Sequence, residues 1–182
     1  GDWLPEDTGE GALLRAFSAP LTVADIGALQ HLNVYEKPNG QGQRLGKFHG
    51  QTQGVKVLSI QGLDAYIGVY RHEDGTYIQG YVPLKKLKTV SPAGSYALVI
   101  DKQSQTLSVY RQGALLGQLP VSTGLMEKNA LFQETHAGAF LLEKRERAFT
   151  SQGYSYDYPM RFSGGNLLHT VGYKLRGGVA DY

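Results

Sequence analysis

Five histidines, His31, His49, His72, His136 and His169, and no cysteine bound the chemistry open to this chain. An imidazole can move protons near neutral pH or hold a metal ion. Without a thiol there is no sulfur nucleophile, no disulfide and no thiolate metal site. The histidines are scattered, and no two stand at the spacing that one helix face or one hairpin would bring together. Neither a metal site nor a cofactor is therefore expected. His169 follows Leu167-Leu168, and a lone histidine on a strand is as a rule structural. Ser122 ends an apolar run with no evident base. Gly40-Gln41-Gly42 with Gly46 has the wrong spacing for a dinucleotide loop and precedes no helix. Gly153-Tyr154-Ser155-Tyr156-Asp157 lacks the final glycine of a hydrolase elbow. Tyr154, Tyr156, Tyr158 and Met160 read singly as core or edge packing, and in a cleft they would contact a peptide.

The elements that would position these residues are short strands. In residues 96–124, Tyr96-Ala97-Leu98-Val99-Ile100 is a nearly continuous apolar run, expected to be a strand covered on both faces. Thr106-Leu107-Ser108-Val109-Tyr110 alternates. Arg111-Gln112-Gly113 predicts a turn with Gly113 at positive φ, and a third strand runs from Leu115 to Val121. The expectation is an antiparallel meander closing on Ser122-Thr123-Gly124.

Residues 21–90 read as a separate unit. Leu32-Asn33-Val34-Tyr35 runs into a Pro38-Asn39-Gly40 turn. Segments follow around Arg44-Leu45-Gly46, at Val55-Lys56-Val57-Leu58-Ser59-Ile60 (expected half-buried), at Tyr66-Ile67-Gly68-Val69-Tyr70 and at Thr76-Tyr77-Ile78-Gln79-Gly80-Tyr81-Val82. Five short strands with regular turn signals predict a small barrel. Before it, residues 1–20 are acidic and then apolar. A helical turn or two could dock there, and a partly ordered tail is the expectation. Ser91-Pro92-Ala93-Gly94 marks the boundary to the second unit. Beyond the meander, a mixed-charge loop over 125–134 precedes a strand at Thr135-His136-Ala137-Gly138-Ala139-Phe140-Leu141-Leu142. Lys144-Arg145-Glu146-Arg147 reads as a solvated edge. Met160-Arg161-Phe162 starts a strand, Ser163-Gly164-Gly165-Asn166 turns it, and Leu167-Leu168-His169-Thr170 runs back.

A formal charge of +2 makes no electrostatic case for nucleic acid. No apolar run approaches the ~18 residues that cross a bilayer. No basic segment followed by an apolar one stands at the start, so any secretion signal is expected to have been removed.

The order of residues is more specific than a meander requires. Ile100-Asp101, then Gln105-Thr106-Leu107-Ser108-Val109-Tyr110, a glycine turn and a close on Val121-Ser122-Thr123-Gly124 resemble the opening of the L,D-transpeptidase (YkuD-like) catalytic domain. Leu32-Asn33-Val34 and Gly80-Tyr81-Val82 before Leu87 resemble the bacterial SH3-like (SH3b) domain, with Tyr35 where that family commonly has arginine. The resemblance implies an all-β fold: a small SH3-like barrel over residues 21–90, then an L,D-transpeptidase-type β-sandwich over 95–182, incomplete at its C-terminus. His136 stands where the family usually has proline, in Thr-Pro-x-Gly-x-Phe.

The implied function is crosslinking of peptidoglycan stem peptides through a cysteine acyl-enzyme, in the cell envelope or secreted, with no cofactor. In that scheme a thiolate attacks an amide of the donor peptide, a histidine manages its proton, and backbone N–H groups hold the oxyanion. His169 matches the histidine that lines the family's cleft, and Tyr158 and Met160 would contact substrate. The family's Ser/Thr-His-Gly-Cys follows further on. Only thirteen residues succeed His169 here, and Gly177-Gly178-Val179-Ala180-Asp181-Tyr182 looks like the loop leading to that motif. The chain is thus expected to stop short of its nucleophile and to be inactive as it stands. Two other readings stay open: a non-catalytic wall-binding protein with a degenerate transpeptidase domain, and an L,D-carboxypeptidase acting on stem peptides.

Overall fold

The computed structural model describes residues 3–124, 134–143, 145–164, 166–176 and 179–181. Residues 125–133 of the loop expected over 125–134, and the glycines at 165, 177 and 178, lie outside them. Strands dominate, as the composition requires. The first regular element is nevertheless a helix, α1 (Glu10–Ser18). The tail expected over residues 1–20 is in this part ordered, because Leu13 is buried and the Phe17 ring packs 5.2 Å from that of Tyr110.

The strands of the first unit are β1 (Leu21–Ala24), β2 (His31–Lys37), β3 (Gln41–His49), β4 (Lys56–Gln61), β5 (Asp64–Tyr70), β6 (Tyr77–Pro83) and β7 (Leu87–Val90). β2 to β6 form one antiparallel sheet in the order β3-β2-β6-β5-β4, and β1 pairs with β7. The β2–β3 turn forms as expected. Pro38 opens a 3-10 turn, Asn39 and Gly40 take φ of 58° and 68°, and the buried Asp64 carboxylate accepts the Asn39 N–H at 3.0 Å. The core lies in this unit, where Val34, Phe48, Ile67, Val69 and Val82 are at most 2 % exposed. One expectation fails. β4 is not half-buried, since Val57, Leu58 and Ile60 are all exposed. It is an edge strand of its sheet, and from Val57 to Gln61 neither of its faces is covered.

The second unit opens on the expected meander: β8 (Tyr96–Asp101), β9 (Thr106–Arg111) and β10 (Ala114–Pro120), in the order β10-β9-β8. Gln112 and Gly113 both have positive φ, 50° and 84°, the conformation whose twist suits a two-residue hairpin. β8 is only half-buried, not covered on both faces. The segment around Phe140 forms no regular strand either. It makes a bridge to Gln53, and Gly54 and Leu141 N–H groups donate to Ala139 and Thr52 carbonyls across the two units.

Three hairpins follow. β11 (Phe149–Ser151) pairs with β12 (Tyr154–Tyr156), β13 (Met160–Ser163) with β14 (Asn166–Leu168), and β15 (Lys174–Arg176) with β16 (Val179–Asp181). The last pair replaces the open loop expected near the end of the chain. Among the described residues beyond Val90, Pro159 and Phe162 are buried apolar side chains, Phe162 edge-on to Phe140 at 5.4 Å.

Candidate functional sites

The structure separates the histidines into two places. His169 stands by itself just beyond β14, exposed to solvent, with its ring edge-on to Tyr156 (4.8 Å) and Phe149 (5.8 Å). Phe149 and Tyr156 are cross-strand partners of β11 and β12, stacked at 4.9 Å, so the hairpin makes a flat aromatic wall for the imidazole. His169 Nδ1 lies 2.7 Å from the Thr170 carbonyl. A carbonyl can only accept, so Nδ1 is the donor in this contact.

One ring away, Arg145, Glu146, Arg147, Phe149, Arg161 and Leu167 line an open pocket of about 550 Å³. Arg161 is held between Glu143 (3.8 Å) and Glu146 (3.6 Å) and donates to the Gly164 carbonyl. The Arg145 guanidinium sits 4.1 Å over the ring of Tyr158. Tyr158 has φ of 53°, an unusual conformation for a bulky residue, and its side chain is exposed. Met160 is half-buried, paired across the hairpin with Leu168 and bridged to Arg145. None of the residues expected at the site lines this pocket: Tyr158 and Met160 share Arg145 as a neighbour, and His169 packs on Phe149. The three arginines were not singled out in the sequence. The mixed run at 144–147 looked like a solvated edge, and Arg161 joins it through its ion pair with Glu146 and the bridge between Arg145 and Met160.

The second place corrects the expectation that the histidines are scattered. His31 opens β2 and His49 closes β3, and the antiparallel register sets them directly opposite each other. His72 follows β5, where its N–H donates to Lys47 O at 2.7 Å. The turn behind it is locked by Arg71, which holds Asp74 through Nε–Oδ1 (2.7 Å) and Nη2–Oδ2 (2.5 Å). The ring centres of His31, His49 and His72 lie 4.3, 4.6 and 4.7 Å apart. His49 Nε2 and His72 Nδ1 are 3.1 Å apart, within hydrogen-bond distance. His136, from the second unit, brings a fourth ring 5.7 Å from His72 and 6.2 Å from His49.

Burial keeps these rings neutral. It lowers the His49 pKa to about 3, helped by His31, His72, His136 and Lys47. It lowers His136 to about 4, with His72 and Lys102 adding and Glu134 opposing. His31 and His72 are lowered chiefly by the same burial, with Glu73 pulling the other way. Neutral imidazoles are the form that binds metals.

Comparison of the chain with protein-family models, with curated proteins and with solved structures returned no match.

Proposed function

We propose that the chain is a cell-wall protein of the L,D-transpeptidase type that recognises peptidoglycan stem peptides in the pocket beside His169. In this reading residues 21–90 form the SH3-like barrel and residues 95–182 belong to the transpeptidase-type sandwich. The five-stranded sheet with its β1–β7 pair and the β8–β10 meander support that division. The observation that carries the functional reading is the pocket: Arg145, Arg147 and Arg161 with Glu146 and the ring of Phe149, against which the exposed His169 packs edge-on. Stem peptides carry carboxylates on a flexible backbone. Guanidinium forks hold carboxylates in two parallel hydrogen bonds, and Phe149 gives the peptide an apolar surface.

In a transpeptidase the thiolate attacks the donor amide, the C–N bond breaks, and the amine departs with a proton. The acceptor amine then displaces the thiolate. These 182 residues contain no thiol, so what they contribute to that reaction is recognition and orientation.

Binding of purified stem tetrapeptide, followed by isothermal titration, tests the proposal. Saturable binding that falls about tenfold on amidation of the peptide carboxylates, one charged hydrogen bond being worth about 1.5–3 kcal/mol, supports it. Indifference to amidation, or absence of binding at millimolar peptide, overturns it. Incubation with a carbapenem should leave the mass of the chain unchanged, and a stable adduct would reveal a nucleophile outside this scheme.

A further inference from the structure

We propose that His31, His49 and His72 form a binding site for a zinc-class divalent ion at the junction of the two units, with His136 as the nearest additional imidazole. The inference does not depend on the stem-peptide reading. It rests on geometry. Each of the three rings offers one nitrogen, and these nitrogens all lie within 4.8 Å of one another. Around a tetrahedral ion with metal–nitrogen bonds of about 2.0–2.1 Å, ligand nitrogens stand about 3.3 Å apart and ring centres about 5 Å apart. The pair His49 Nε2 and His72 Nδ1, at 3.1 Å, already has that separation, and the three rings are 4.3–4.7 Å apart centre to centre. Small rotations of the rings, most of all His31, would complete the triangle.

Two independent observations point to a ligand and not to packing alone. His31 Nε2 is buried with no hydrogen-bond partner among the described residues. An imidazole makes poor filler for a core unless both ring nitrogens are used, since each unpaired one costs stability. The surroundings also suit a cation. The Glu73 carboxylate accepts the Lys47 N–H at 3.2 Å and pairs with Arg44 at 3.3 Å, and its charge acts on both His31 and His72. It can offset the charge an ion brings. Lys47 is the opposing cation. Glu134, ion-paired with Lys102, does the same beside His136.

The ligands come from three places in the first unit, and the additional ring comes from the second. Gly164 of the second unit also lies against His49. An ion here would therefore tie the β2–β3 hairpin and the turn after β5 together and stiffen the surface on which the second unit rests.

Titration of the untagged protein with Co²⁺ at neutral pH tests the site through its visible absorption. One equivalent should produce the intense bands of a four-coordinate ion, and Zn²⁺ should bleach them. His72→Gln should weaken binding roughly a hundredfold, since even partners behind a ligand are worth about 10–100-fold. Should that variant fold poorly, long-range ¹H–¹⁵N spectra of the wild-type imidazoles decide the matter. Zn²⁺ must shift the rings of residues 31, 49 and 72 and leave His169 in place. No saturable Co²⁺ spectrum, affinity unchanged in a folded His72→Gln, or shifts confined to His169 would each overturn the site.

Discussion

Gly164 lies flat against the imidazole of His49: a Cβ on that glycine would stand 2.2 Å from His49 Cε1 and 2.5 Å from Nδ1. The glycine also has φ of 52°, in the left-handed region. A hairpin turn of the second unit therefore closes over the histidine cluster of the first, and only the residue without a side chain lets it approach so near. Gly164→Ala is expected to destabilise the fold by about 2–4 kcal/mol, combining left-handed strain of about 1 kcal/mol with overpacking of about 1–3 kcal/mol. Urea denaturation measures it. Adding His49→Ala should recover part of the loss, and purely additive effects would show that the two residues are not coupled.

Stability should fall on acidification of the metal-free protein. The His49 and His136 pKa values in the folded state, about 3 and about 4, lie below the ordinary 6.5, and those of His31 and His72 are lowered as well. Between those values and 6.5 the unfolded chain binds more protons than the folded one, so stability rises with pH in that window. It is fully present above about pH 6.5 and is lost as pH falls toward 4. Melting curves in the presence of a chelator should show a midpoint that drops steadily over this range, and a flat midpoint would contradict the burial of the rings.

Gln53 is a buried hub whose loss should be costly. Its Oε1 accepts the His49 N–H at 3.0 Å and its Nε2 donates to Tyr70 O at 2.6 Å, with the residue 2 % exposed. Gln53→Leu keeps most of the volume but leaves a buried donor and a buried acceptor unpaired. At about 1–3 kcal/mol for each, the expected loss is about 2–6 kcal/mol, read by chemical denaturation.

Leu13→Ala tests whether the first helix is part of the folded unit. Leu13 is 6 % exposed, and Phe17 packs on Tyr110 of β9. A loss of about 2–4 kcal/mol is expected, with faster amide exchange in α1 and in β9. Unchanged stability would mean that the helix contributes nothing to the fold.

His169→Ala should separate binding from stability. The ring is exposed, so the fold should change by less than about 1 kcal/mol, while binding of stem tetrapeptide weakens. Equal affinity in the variant would remove His169 from the proposed site.

Local signals in the chain were enough for the turns and for most strands. Gly113, Asn39 and Gly40 take left-handed conformations that glycine and asparagine adopt easily, so each hairpin could be read from a few neighbours. The run Met160-Arg161-Phe162, a glycine-rich turn and Leu167-Leu168 predicted the β13–β14 pair for the same reason. Burial was less legible. The apolar residues of β4 and β8 identified strands, yet whether a strand face is covered depends on sheet order and on what packs above it. Val57, Leu58 and Ile60 lie on a sheet edge and Val34 lies inside, although all four are apolar.

The histidines show the division most clearly. By itself the amino-acid sequence determined a cysteine-free, strand-rich chain with tight glycine turns and a histidine after Leu168, because those properties reside in single residues or close neighbours. Only the tertiary structure brought His31, His49 and His72 to one point. Strand register set the first two opposite each other, and a backbone hydrogen bond from His72 to Lys47 delivered the third. Pairing across a sheet joins residues by position in space, and nothing in their spacing along the chain announces it.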